Sequence, residues 1–252
     1  MLSGKVVIVT GGAKGIGRYA AKVYADAGAK LSIWDIAPEE STTKELQAKG
    51  VEVLPLQVDV RNEDQVRRAS REVTERFGRI DVLLNNAGLV THPAWTKGWG
   101  PIMEMEKSFW DRVIETNLTG SMLCTKHVLP QMIKQRSGHI INVHGGAATA
   151  KRVGACAYMV TKDALRTFTR FVAEEVREHG VCVVIAGPGG AIATEEAPDE
   201  VRSRMPGPDL VGTTYLLAAE APMEFSGFYV KRVNDQLQLD MDPGNVWWFR
   251  HG

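Results

Sequence analysis

Cysteine is scarce: Cys124, Cys156 and Cys182 are odd in number and far apart, with no Cys-x-x-Cys or Cys/His ligand spacing. That excludes a disulfide framework. The six histidines are equally scattered, so no metal site is expected. Charge of one sign is also missing, because 30 Lys and Arg balance 30 Asp and Glu. A nucleic-acid or anionic-membrane partner would leave a basic excess, so neither is expected. Long hydrophobic runs are absent as well. Near the start, Val6-Val7-Ile8-Val9 is bounded by Lys5 and Thr10-Gly11, far too short for a signal h-region or a membrane span. Together these absences read as a cytoplasmic protein with reduced thiols. There are no internal repeats, low-complexity tracts or Pro/Ser-rich linkers, which argues for one domain over residues 1–252.

What is present is an alternation of short apolar runs and longer helical patterns. The runs Val6–Thr10, Lys30–Trp34, Glu52–Gln57, Val82–Asn85, His139–Val143 and Val181–Ala186 read as strands. Most are continuously apolar, as expected of parallel strands covered on both faces. Helical segments are expected at Gly15–Ala27, Glu39–Lys49, Glu63–Phe77, Phe109–Gln135 and Ala157–His179. Strands alternating with helices imply right-handed βαβ units, hence an α/β fold with a Rossmann-type doubly wound parallel sheet. Two stretches break the rhythm and are expected to be loops: residues 89–107, with Trp95 and Trp99, and residues 187–209, rich in glycine and proline. Both follow strands, at the carboxyl edge where open α/β sheets bind ligands.

The segment Thr10-Gly11-Gly12-Ala13-Lys14-Gly15-Ile16-Gly17 leaves a strand and opens a helix. Glycines let the backbone approach a pyrophosphate, and the helix amino end attracts that anion. Asp35 ends the next strand, eighteen residues after Gly17. A carboxylate there accepts hydrogen bonds from a ribose diol and repels a 2′-phosphate, so the expected cofactor is NAD. Lys14 is the one counter-signal, either beside a 2′-phosphate or a solvated loop lysine.

The spacing GxxxGxG, followed in order by Asp59-Val60, Asn85-Asn86-Ala87-Gly88, Asn117, Tyr158-Met159-Val160-Thr161-Lys162 and Pro188-Gly189, resembles the short-chain dehydrogenase/reductase family from about Lys5 to Val230. The resemblance implies that Gly11, Lys14, Ile16, Gly17 and Asp35 hold the cofactor. It implies further that Asp59 and Val60 bind the adenine edge, and that Asn86, Ala87 and Gly88 line the cofactor. Pro188, Gly189 and Thr194 would then hold its nicotinamide end.

Tyr158 and Lys162 are four residues apart on one expected helix and share a face. An adjacent ammonium and a cationic nicotinamide would lower the tyrosine from its usual pKa near 10, making it a general acid/base. By resemblance, Lys162 also binds the nicotinamide ribose. Asn117 falls on the apolar stripe of its helix; it is either a satisfied core asparagine or, as in the family, the holder of a relay water.

One member of the constellation is missing. The family's serine lies thirteen residues before the tyrosine, and here that position is Gly145. Between Ser137 and Tyr158 the only hydroxyl belongs to Thr149. His144 is either a substitute hydrogen-bond donor or a structural histidine whose side chain points away from that of residue 145. His92, in the long loop, is a second candidate, and Lys151-Arg152 is either an anion contact or a solvated pair.

The expected activity is therefore NAD-dependent interconversion of a secondary alcohol and a ketone, the small-molecule substrate. The alternatives are a catalytically weak NAD(H)-binding or regulatory protein and a non-redox enzyme on the same fold. Only fourteen residues separate Thr194 from Asp209, so a short lid is expected. The apolar end Val246-Trp247-Trp248-Phe249 is expected to pack on a neighbouring subunit or across the site mouth. The resemblance implies a homotetramer or homodimer through Phe109–Gln135 and Ala157–His179.

Overall fold

Apolar β-branched runs pair here into one eight-stranded sheet, seen in a computed structural model that describes residues 2–37, 40–89, 100–145, 154–188, 192, 194, 199–203 and 209–240. The strands are β1 (Val6–Thr10), β2 (Lys30–Asp35), β3 (Val53–Gln57), β4 (Val82–Asn85), β5 (Gly138–Val143), β6 (Val181–Ala186), β7 (Tyr229–Val233) and β8 (Gln236–Leu239). Their order is β3-β2-β1-β4-β5-β6-β7-β8, parallel except for β8, which runs antiparallel to β7. The order reverses between β1 and β4, and ligand crevices of doubly wound sheets open at such a reversal.

The helices are α1 (Gly15–Asp26), α2 (Glu40–Ala48), α3 (Glu63–Phe77), α4 (Lys107–Ile114), α5 (Gly120–Gln135), α6 (Cys156–Val176), α7 (Asp199–Arg202) and α8 (Asp209–Ala218). Every residue of β1 and β6 is buried, because helices cover both faces. One core layer joins Val7, Val9, Leu31 and Val184 to Tyr24 of α1 and Tyr215 of α8. The other joins Ile8, Leu83, Ile140 and Val183 to Val66 of α3, Val128 of α5 and Val172 of α6.

All six expected strands form, and the expected helices form within a few residues of their bounds. The helix expected over Phe109–Gln135 starts earlier, at Lys107, and is divided by one π-helical turn, Glu115–Thr119. Residues 187–209 contain the four-residue helix α7, clasped by an Asp199–Arg202 ion pair one turn apart, where only loop was expected. The β7–β8 hairpin was not expected either. Its strands YVKRV and QLQL are partly polar and carry a weak period, and Asn234 and Asp235 turn the chain with φ of 48° and 58°. Among the described residues no helix is long and apolar enough to cross a membrane.

Candidate functional site

The motifs gather at the carboxyl edge of the sheet, where the turn after β1 meets the segment after β4. Thr10 Oγ1 accepts hydrogen bonds from the backbone N–H groups of Asn86 and Ala87, each at 3.0 Å, and donates to the Leu84 carbonyl at 3.2 Å. Asn86 Nδ2 donates to the carbonyls of Thr10 and Gly11 at 2.9 and 3.0 Å. This stitching leaves no room for a side chain at Gly11 or Gly17. A Cβ on Gly17 would meet Asn86 Nδ2 at 2.6 Å, and one on Gly11, whose φ is +64°, would meet Ala87 Cα at 2.9 Å. Lys14 is the extended residue before α1 and its side chain is exposed; Ile16 packs on the core. The first turn of α1 has no acidic residue of its own, and the positive end of the helix dipole lies at this edge.

Asp35 ends β2 with its carboxylate almost wholly buried, accepting from Ala13 N at 3.0 Å and Ala37 N at 3.1 Å. It thereby braces the glycine turn from the next strand. Ile36 beside it is 62% exposed, unusual for an isoleucine. With Gln57, Asp59, Gln65 and Arg68 it lines an open cleft of about 490 Å³. Arg61 grips the Asp59 carboxylate through Nε at 2.9 and 3.1 Å and Nη2 at 2.6 Å, holding it below the usual carboxylate range. Val60 is buried against Gly120 at the start of α5. An apolar face, amide groups and an ion-paired carboxylate at the mouth of the glycine turn suit a flat heterocycle attached to a pyrophosphate.

The second half of the site sits at the ends of β5 and β6. One turn apart on α6, Tyr158 and Lys162 meet there: Lys162 Nζ lies 5.3 Å from the centre of the Tyr158 ring and donates to the Val143 carbonyl at 2.7 Å. Burial pulls Lys162 down to about 8. Burial and the nearby Tyr229 push Tyr158 up to about 12. Burial disfavours the phenolate, and this sets the direction of the Tyr158 shift. The Tyr158 phenol rests on Gly145: a Cβ there would lie 2.8 Å from Cε1 and 3.0 Å from Cζ, and in contact with Oη.

His144, just past the end of β5, turns toward α6, as does Asn142 two residues before it. Its Nε2 accepts from Arg166 Nε at 3.2 Å. Arginine only donates, so the ring proton is assigned to Nδ1. Burial, reinforced by the charges of Arg166 and Lys162, lowers His144 to about 3, so it is neutral at ordinary pH. Its ring meets that of Tyr229 edge-on at 5.2 Å and 86°, and Arg166 lies over the same tyrosine at 5.4 Å.

Asn117 occupies the π-turn between α4 and α5 and is buried. Such turns recur at functional sites because they re-aim one residue within a helix. Asn117 Oδ1 accepts from Leu89 N at 2.7 Å, while Nδ2 donates to Leu89 O at 3.1 Å and to Thr161 Oγ1 at 3.3 Å. The Thr161 hydroxyl in turn donates to the Tyr158 carbonyl at 2.6 Å. The amide therefore ties Leu89, just after the Asn85–Gly88 segment, to the helix that carries the tyrosine. Below it, Asn85 donates to Asn142 at 2.9 Å, and Asn142 donates to Thr169 at 2.9 Å, a buried polar layer linking β4, β5 and α6.

Gly88 lies beside Asn117, Pro188 is buried just beyond β6, and Thr194 is half-buried. Gly189, His92, Trp95, Trp99, Thr149, Lys151, Arg152 and residues 246–250 lie outside the described residues. No group of His, Cys, Asp and Glu among the described residues is arranged to hold a metal ion. Sequence reasoning missed Ile36, Arg68, Arg166 and Tyr229. Ile36 alone carried a signal, as an apolar residue just after a strand-ending aspartate.

This topology, with its ligand edge built on a glycine turn, defines a Rossmann-type α/β protein. The family profile described as short chain dehydrogenase matches residues 5–203, and the chain belongs to that oxidoreductase family. It is 33% identical over 206 residues to the 3-oxoacyl-(acyl-carrier-protein) reductase FabG of Staphylococcus aureus, covering 80% of this chain and 81% of that one. The reductase FabG of Thermotoga maritima is 34% identical over 213 residues, covering 81% and 84%. A crystal structure of a metagenomic short-chain oxidoreductase in complex with NADP is similar with a TM-score of 0.74 and 30% identity, covering 88% of this chain and 94% of that one.

Proposed function

We propose that this protein is an NAD-dependent oxidoreductase that interconverts a secondary alcohol and a ketone, with residues 1–252 forming one dinucleotide-binding and catalytic domain. The observation that carries the reading is the placement of the Tyr158 phenol and the Lys162 ammonium at the end of β5, on the same sheet edge as the glycine turn braced by Asp35. NAD supplies hydride acceptance when bound. Its pyrophosphate suits Gly11, Lys14, Ile16 and Gly17 at the α1 terminus, and its adenine suits the Ile36–Asp59 cleft. Asp35 at the end of β2 would accept from a ribose diol and repel a 2′-phosphate, a charge we weigh above those of Lys14 and of Arg68 in the cleft. These features favour NAD, although a solved relative was crystallised with NADP.

In this mechanism Tyr158 would take the alcohol proton at Oη as the phenolate, or return it to the carbonyl oxygen as the phenol. Lys162, anchored on Val143 O, holds a positive charge beneath the phenol and binds the nicotinamide ribose. Asn86, Ala87, Gly88, Pro188, Gly189 and Thr194 line the cofactor's path. Asn117 holds the helix of Tyr158 in register and orders a relay water, and His144 acts by placing the strand end beside Gly145. We further assign the protein to the cytoplasm and to a homodimer or homotetramer. Exposed Met122 on α5, and Val160 and Phe171 on α6, favour the helix-mediated interface, Phe171 being 64% exposed.

The test is absorbance at the reduced-nicotinamide band with NAD, or with NADP, over a panel of secondary alcohols, using Tyr158→Phe as control. Turnover with NAD that Tyr158→Phe abolishes supports the reading; silence across the panel while NAD binds by calorimetry sinks it. A second reading, a cofactor-binding protein of low turnover, is favoured by Gly145, since a lost oxyanion donor costs about 10²–10³ in rate.

A further inference from the structure

Tyr229 opens β7, opposite Ile185 of β6, and its side chain lies on the α6 side of the sheet. Its hydroxyl reaches the carboxyl end of β6, where it lies in the space a Cβ on Gly187 would take; that glycine directly precedes Pro188. Two tyrosine hydroxyls thus rest on the strand-end glycines of neighbouring strands, Tyr158 on Gly145 of β5 and Tyr229 on Gly187 of β6. The backbones of the two strands are joined there by the bond from His144 N to Ala186 O at 2.9 Å.

The Tyr229 ring is fixed without help from its hydroxyl. The His144 edge meets it at 5.2 Å, and the Arg166 guanidinium lies over it at 5.4 Å. Those contacts need only an aromatic ring. Burial and the nearby Asp240 raise the Tyr229 pKa, outweighing Arg166, so the phenol remains a donor throughout the neutral range.

We propose that the Tyr229 hydroxyl is the second hydrogen-bond donor to the substrate's reacting oxygen, supplying from β7 the contact that a serine at position 145 would supply from β5. The proposal rests on the oxidoreductase reading above. With the Tyr158 phenol seated directly on Gly145, that strand end supplies no side-chain hydroxyl, and a second donor would come from a neighbouring element. Gly187 is what admits it: any side chain there would displace Oη.

The experiment compares the full chain with Tyr229→Phe and Tyr158→Phe, using reduced nicotinamide cofactor and a panel of ketones, with Tm and cofactor Kd measured on each protein. Tyr229→Phe keeps the ring and its contacts, so Tm and cofactor Kd are expected within twofold or a degree or so of the parent. Its kcat is expected to fall about 100-fold, the loss typical of one oxyanion donor, with a smaller change in KM. A kcat within threefold of the parent overturns the proposal while leaving the oxidoreductase reading intact. A clear drop in Tm also overturns it, because the hydroxyl is then structural. If the parent protein turns over nothing and matches Tyr158→Phe, the oxidoreductase reading itself fails and this proposal falls with it.

Discussion

The phenol of Tyr158 stands so close over Gly145 that a methyl group on that glycine would lie 2.8 Å from Cε1 and 3.0 Å from Cζ. The glycine is therefore complementary to the tyrosine's present position, and the position of the usual serine is filled by the catalytic candidate itself.

Gly145→Ser tests that complementarity. Adding Cβ and Oγ forces the phenol or the strand end to shift, and overpacking of this kind costs about 1–3 kcal/mol. The expected outcome is a lower Tm and at least a tenfold fall in turnover, read by thermal unfolding and steady-state kinetics. A gain in turnover instead shows that the tyrosine moves aside readily and that the missing serine had limited the reaction.

Asp35→Asn addresses the cofactor. The amide oxygen keeps one of the two backbone bonds now made to Ala13 and Ala37, so the turn survives. Loss of the negative charge removes repulsion of a 2′-phosphate. The ratio of Kd for NADP to Kd for NAD, measured by fluorescence titration, is expected to fall at least tenfold, about 1.4 kcal/mol or more. An unchanged ratio assigns selectivity to other groups, Lys14 and Arg68 first.

Lys162→Met probes the buried ammonium. Burial lowers the lysine from 10.5 to about 8 in the folded chain. Below pH 8 both states carry the proton and the folded state bears the desolvation cost. Between about pH 8 and 10.5 the folded state has released a proton that the unfolded state still holds, so wild-type stability rises with pH there relative to the variant. Lys162→Met is expected to be inactive yet at least as stable as the parent at pH 7. That advantage should shrink as pH rises through this window, as followed by denaturant unfolding. A pH-independent difference, or a less stable variant at pH 7, means that the bond to Val143 O outweighs burial.

The α/β class, the six strands that carry the site and the turn at Thr10–Gly17 were legible in the chain because each rests on local rules. Continuous apolar runs mark strands covered on both faces, and glycines before a helix mark a turn that tolerates no Cβ. The four-residue step from Tyr158 to Lys162 likewise places both on one helical face without reference to anything distant. Sequence alone also showed that residue 145 is glycine and left its neighbour His144 as either a substitute donor or a structural histidine pointing away from it.

Which second hydroxyl comes near that strand end was decided by the tertiary structure. Tyr229 is far from Gly145 along the chain, in a half-polar strand whose weak alternation gave no signal. It comes to the site only because β7 pairs with β6. The partner of His144 was hidden for the same reason: Arg166 meets it across the packing of α6 on β5, a contact no periodicity announces. Charge states followed the packing too. Tyr158 is raised and Lys162 lowered because burial penalises ions, and how deeply a side chain is buried depends on the whole fold rather than on its neighbours in sequence.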